Sequence, residues 1–164
     1  MRWINLILYQ ALWFALVICA SRGVPGGAIA AAVVFVAWQV ATGPKPAEET
    51  RRVLAALVLG TVVDGVPALL GWWHYASPSP ALPAGGAPLW ILALWACFAT
   101  TIDRSLRVVR GRPWLAAALG AVGGPMAYLA AAHGWQAVVF TCSPAVYLAW
   151  LGVGWALALV VLAR

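Results

Sequence analysis

VLAALVLGTVVDGVPALLGWW, residues 53–73, decides how the rest of the chain is read. It is an apolar run long enough to cross a bilayer, which takes about 20 residues at the helical rise. One carboxylate, Asp64, lies near its middle. A charge at that depth costs at least about 2.5–3.5 kcal/mol on insertion scales, so it is expected to face protein and not lipid. Gly65 and Pro67 stand beside it. Pro67 cannot donate to the carbonyl of Val63, so a backbone acceptor is set free there and the helix is expected to bend.

Composition extends this reading to the whole chain. With 164 residues, 65% of them hydrophobic and 9% charged, the chain is too apolar for a soluble domain, and a single integral membrane domain over residues 1–164 is expected. The net charge of +6 has no soluble surface to present it to nucleic acid. Basic residues beside membrane spans set topology and meet anionic headgroups. Cys19, Cys97 and Cys142 form neither a CxxC pair nor a metal spacing. The order of apolar runs predicts an all-α fold of six transmembrane helices with short loops, over residues 3–20, 26–42, 53–73, 89–101, 114–132 and 144–163. The first run competes with a signal peptide, but it is longer than a usual signal core.

Lysine and arginine placement sets the orientation. Arg2, Lys45, Arg51, Arg52, Arg104, Arg107, Arg110, Arg112 and Arg164 fall on one side of a six-span arrangement and only Arg22 on the other. The positive-inside rule then places both termini in the cytoplasm of a bacterial inner membrane.

Candidate sites follow from matching depths. On the third span Gly60, Asp64, Pro67, Gly71 and His74 share a face; on the fifth, Ala116, Gly120, Gly124 and Ala127 form a smooth one, interrupted by Gly123-Gly124-Pro125. Both helices run the same way, so Asp64, Gly65 and Pro67 are expected level with Gly123, Gly124 and Pro125. Discontinuous helices at such a level build substrate sites in transporters, while small faces also serve close packing alone. As a neutral acid Asp64 can donate to a freed carbonyl, such as that of Ala121 if Pro125 opens the fifth span. A second polar group, Asn5, Gln10, Gln39, Thr100 and Thr101 with Asp103, lies nearer the cytoplasmic side and could line a shallow pocket or bond helix to helix. Arg104, Arg107 and Arg110 recur every third residue as a basic face for lipid headgroups. His74 and His133 end two spans on one side, where axial haem ligation competes with an interfacial role beside tryptophan. Cys19 and Cys142 lie on the same side, where a disulfide is chemically open to them. Residues 59–70 and 119–129 share a leading Leu-Gly, a Val, a Gly and a nearby Pro, a match that chance supplies readily in such a composition. No nucleotide, protease or metal motif is present, so no cofactor and no metal are expected.

FATTIDRSLRVV, residues 98–109, and GAVGGPMAYLA, residues 120–130, together with Asn5 and Asp64-Gly65, resemble a family of small polytopic bacterial inner-membrane proteins of unknown function. The resemblance implies a compact polytopic fold. Genes of that family lie near those for cyclopropane-type fatty-acid modification and a flavin oxidoreductase, which implies a role near membrane-lipid modification. Membrane lipids, and a lipid-modifying enzyme, are the partners it suggests. The reading is thus of a lipid- or enzyme-binding membrane protein, against a small transporter or flippase at the Asp64 level, or a membrane enzyme or haem protein.

Overall fold

The computed structural model describes residues 2–164 and is all-α in class, 71% helical. Six helices follow in order: α1 (Arg2–Ser21), α2 (Gly26–Ala41), α3 (Pro46–Leu69), α4 (Leu89–Ala99), α5 (Pro113–Trp135) and α6 (Pro144–Leu162). Four of them, α1, α3, α5 and α6, are long and apolar enough to cross a membrane. The six expected spans are therefore six helices of unequal reach. α2 has 16 residues and α4 only 11, and at the helical rise α4 is about 16 Å long.

The outside of the bundle is apolar. Leu54, Val58 and Val62 make an exposed stripe along α3 at i+4 spacing, and Val153, Leu157 and Val161 make another along α6. A water-soluble monomer does not leave apolar faces of this extent uncovered; hydrocarbon covers them at no cost. The polar groups are inside: Asn5, Gln39, Glu49, Arg52 and Asp64 are all buried.

α4 is the middle of the bundle. Trp90, Ile91, Leu92, Ala93, Trp95, Cys97 and Ala99 are buried around its whole circumference, as expected of a helix without a solvent or lipid face. α2 and α3 flank it, α1 closes against α2, α4 and α5, and α5 lies along α6.

Two corrections concern α3. It begins at Pro46, seven residues before the expected start, because Pro at the first position and Glu48 and Glu49 in the first turn suit a helix N-terminus. It ends at Leu69, not Trp73. Gly71 takes a positive φ of 69°, which glycine adopts without steric cost, and the chain reverses. Trp73–Tyr75 then forms strand β1, which pairs antiparallel with β4, Val138–Phe140. A second ribbon joins β2 (Ala81–Leu82) to β3 (Ala87–Pro88). None of these strands is expected from the sequence. The segment 133–143, a short loop by the expected span bounds, is the last turn of α5 followed by β4. All four strands lie at one end of the bundle, the sheet end. The Lys45–Arg52 and Asp103–Arg112 stretches lie at the other, the arginine end.

The acceptor that Pro67 frees has a partner. The Trp150 indole on α6 donates to the carbonyl of Val63 over 2.8 Å, which pins α6 to α3. Trp150→Phe should strand that carbonyl and cost about 1–3 kcal/mol. Thermal unfolding in detergent measures it, with Trp114→Phe, an exposed position, as the silent comparison.

Candidate functional site

Asp64 is fully buried, at 0% exposure, five residues from the end of α3. That places it about 8 Å from the sheet end along the axis. Gly60, one turn earlier, makes the approach to it. A Cβ there would stand 2.5 Å from the Trp95 ring, so only glycine lets α4 bring that indole against α3. Trp95 Nε1 then donates to Asp64 Oδ2 over 2.7 Å. On the next residue, a Gly65 Cβ would lie 3.2 Å from the backbone nitrogen of Ala87, so β3 also packs directly on the helix.

Oδ1 takes two more donors. The Tyr75 hydroxyl donates to it over 2.7 Å, and the Tyr128 hydroxyl donates to the same oxygen. Trp73 Nε1 donates in turn to the Tyr75 hydroxyl over 2.9 Å. Strand alternation explains this arrangement: Trp73 and Tyr75 point into the core while His74 between them is exposed. Asp64 thus only accepts, and the expected donation to the Ala121 carbonyl does not occur. A carboxylate in a low-dielectric core is held by converging donors such as these.

The Gly123-Gly124-Pro125 stretch makes no hydrogen bond to Asp64. α5 meets Asp64 through Tyr128, four residues beyond Gly124. Gly124 and Pro125 are buried, but Gly124 is filled by the Trp155 ring, Gly120 lies on the Trp155 backbone carbonyl, and Gly123 faces open space. The Ala121 carbonyl freed by Pro125 faces Gly152.

Tyr75, Trp95 and Tyr128 are also the wall of a cavity of about 50 Å³, closed by Tyr9 and Trp13 of α1 and by Trp155 of α6. Asp64 stands behind this wall. A dry apolar cavity of about 150 Å³ takes a benzene ring, so this one takes a much smaller apolar group. Trp155 is stacked on Trp95 with ring centroids 4.1 Å apart. Its indole N–H is buried with no acceptor among the described residues. Between α1 and α5 runs an open groove of about 350 Å³ that shares Tyr9, Trp13 and Ala127 with the cavity. Gln10 lies on this groove, exposed, with Phe14, Met126 and Trp135.

The other polar residues gather at the arginine end. Asn5 is buried and accepts from the Ser105 hydroxyl over 2.9 Å. Buried Gln39 offers its backbone carbonyl to Arg104 at 2.7 Å. Thr100 and Thr101, just past the end of α4, bond back to the Cys97 and Phe98 carbonyls. Gln10 is separate from this group. Asp103 does not pair with adjacent Arg104: it joins buried Arg52 to Arg110, while Arg104 turns inward to Glu49 at 3.4 Å. The segment is a series of turns with a 3-10 helix over Arg107–Val109, so Arg104, Arg107 and Arg110 do not share one face. Arg107 is exposed and Arg104 half-buried.

His74 and His133 are both exposed, and Cys19, Cys97 and Cys142 are free thiols. Among the described residues no cluster of three metal-capable side chains occurs.

Tyr75, Trp95 and Tyr128 were not singled out by the sequence. Tyr128 had a signal: it continues the Ala116, Gly120, Gly124 series at the same spacing and falls in the AYLA portion of the family-like motif.

Apolar helix faces turned outward around a buried carboxylate define the class, a small helical membrane protein. The family described as Protein of unknown function (DUF2878) matches residues 2–161, and the chain belongs to that family. Comparison with curated proteins and with solved structures finds no match.

Proposed function

We propose that this protein binds the acyl chain of a membrane lipid from the side, in the groove between α1 and α5. One observation carries the reading: the groove and the cavity share Tyr9, Trp13 and Ala127. A chain lying in the groove is therefore separated only by Tyr9, Trp13 and Ala127 from the cavity that the donors to Asp64 line. The groove floor is aromatic and sulfur-bearing, with Phe14, Trp135 and Met126, surfaces that adapt to a flexible chain. In this reading six helices cross a bacterial inner membrane with both termini cytoplasmic, supported by the nine basic residues gathered at the arginine end. Presenting a chain to a lipid-modifying partner enzyme is the role that fits a groove without a nucleophile or metal cluster. The transporter or flippase reading has less support, since Gly124 is filled by Trp155 and both Asp64 oxygens are occupied.

The test is photolabelling in vesicles with a phospholipid whose acyl chain carries a diazirine. Peptides of α1 and α5 should be labelled several-fold above those bearing the exposed Val153 and Leu157 face of α6. Ala130→Trp, which fills the groove, should remove the excess. Equal labelling of all lipid-facing helices would sink the reading.

A further inference from the structure

At the arginine end, between the start of α3 and the end of α6, lies a pocket of about 480 Å³. Lys45, Arg51, Arg52, Arg110 and Arg164 surround it. Two carboxylates answer these five cations. Asp103 serves Arg52 and Arg110 together, and Glu48 takes Lys45 at 2.9 Å. Arg52 is fixed further by donation from Nε to the Leu162 carbonyl over 3.0 Å. Arg51 and Arg164 are exposed and have no ion-pair partner among the described residues. The pocket is thus a positive site in which Asp103 fixes Arg52 and Arg110 while the guanidinium groups of Arg51 and Arg164 are unpaired among the described residues. Ala55, Val161 and Leu162 form its apolar side, and Val161 belongs to the exposed stripe of α6.

We infer that this pocket binds a phosphate ester, with the phosphodiester of an anionic phospholipid as its ligand. Guanidinium groups match phosphate oxygens in a planar, two-pronged fashion. The side wall continuous with the outer face of α6 is where the lipid's own chains would descend. A free phosphate anion has the same recognising chemistry but no use for that wall. The site shares no residue with the α1–α5 groove, so either can fail without the other.

The experiment uses the full chain in phosphatidylcholine vesicles containing phosphatidylglycerol, with lipid retained after detergent extraction counted by native mass spectrometry. Arg51→Gln with Arg164→Gln removes two charges and leaves the Arg52–Asp103–Arg110 bridge intact, so folding should be unchanged by thermal melt. Its phosphatidylglycerol affinity should fall by about tenfold or more, at about 1 kcal/mol per basic residue near the surface. The comparison pair, Arg22→Gln with Arg107→Gln, removes the same charge from exposed positions outside the pocket; only Arg107 lies at the same end, where it contributes diffuse headgroup attraction, so retention should fall by no more than about fivefold and by less than in the pocket pair. Retention that inorganic phosphate does not displace assigns the site to lipid. Binding of inorganic phosphate without phosphatidylglycerol retention assigns it to the free anion. An equal loss in both pairs, or no loss in either, would overturn the inference.

Discussion

Asp64→Leu should be the most damaging single substitution in the chain. It leaves the Tyr75 and Tyr128 hydroxyls and the Trp95 indole N–H without their acceptor in a fully buried site. Each stranded buried donor costs about 1–3 kcal/mol, so a loss of at least about 3 kcal/mol is expected, read as a lowered unfolding temperature in detergent. The hydroxyls can rotate toward other partners and the indole cannot. Asp64→Asn is therefore expected to fall between: its single carbonyl oxygen can serve Trp95, and its amide must then donate to tyrosines that lose their own acceptor. Tyr128→Phe removes donor and hydroxyl together and should cost less than Asp64→Leu, because Oδ1 keeps the Tyr75 donor and Oδ2 keeps Trp95. If Asp64→Leu melts like the parent protein, the carboxylate does not hold α3, α4, α5 and β1 together.

The second large effect contrasts two adjacent glycines. A side chain at Gly124 would collide with the Trp155 ring, and one at Gly120 with the backbone of Trp155. Close approach of helices through small residues is a main source of packing energy where lipid removes the hydrophobic drive between helices. Gly120→Leu should force α5 from α6 and cost about 3 kcal/mol, at the upper end for overpacking because backbone cannot yield. Gly124→Leu displaces Trp155 and with it the stack on Trp95, so it should also disturb the Asp64 site. Gly123→Ala meets open space and should be neutral or stabilising by up to about 1 kcal/mol, from helix propensity alone. Melting curves of the three variants check the order. Equal effects at 123 and 124 would show that α5 is rotated from the position described.

Much of this was legible in the residues. Helical periodicity put Gly60, Asp64, Pro67, Gly71 and His74 on one face; the structure buries the first three, while Gly71 and His74 lie beyond the end of α3 and are exposed. Pro67 announced a free carbonyl, and a donor meets it. What was not legible comes from pairings distant in the chain. Tyr75 reaches Asp64 only because β1 finds β4 some 65 residues on, and two three-residue strands leave no period to read. α4 is apolar on every side, so nothing in its sequence distinguishes Trp95, which bonds Asp64, from Trp90, which donates to the Ser77 carbonyl. Arg52 read as part of a charged loop because its acceptor, Asp103, is 51 residues away. The start of α3 was hidden for the same reason: charges at Glu48, Glu49, Arg51 and Arg52 read as a connection, while two of the four are buried against other helices.

The length of α4 bears on how the protein is made. A helix of 11 residues cannot by itself be retained as an anchor during insertion, since it spans about half of a 30 Å hydrocarbon layer. On the topology proposed above it becomes a crossing element only when α1, α2 and α3 already surround it and the β2–β3 ribbon caps its start. Biogenesis then has an order: the long helices are threaded first, and α4, with the indole that Asp64 requires, enters last, as a plug seated by its neighbours and not by lipid.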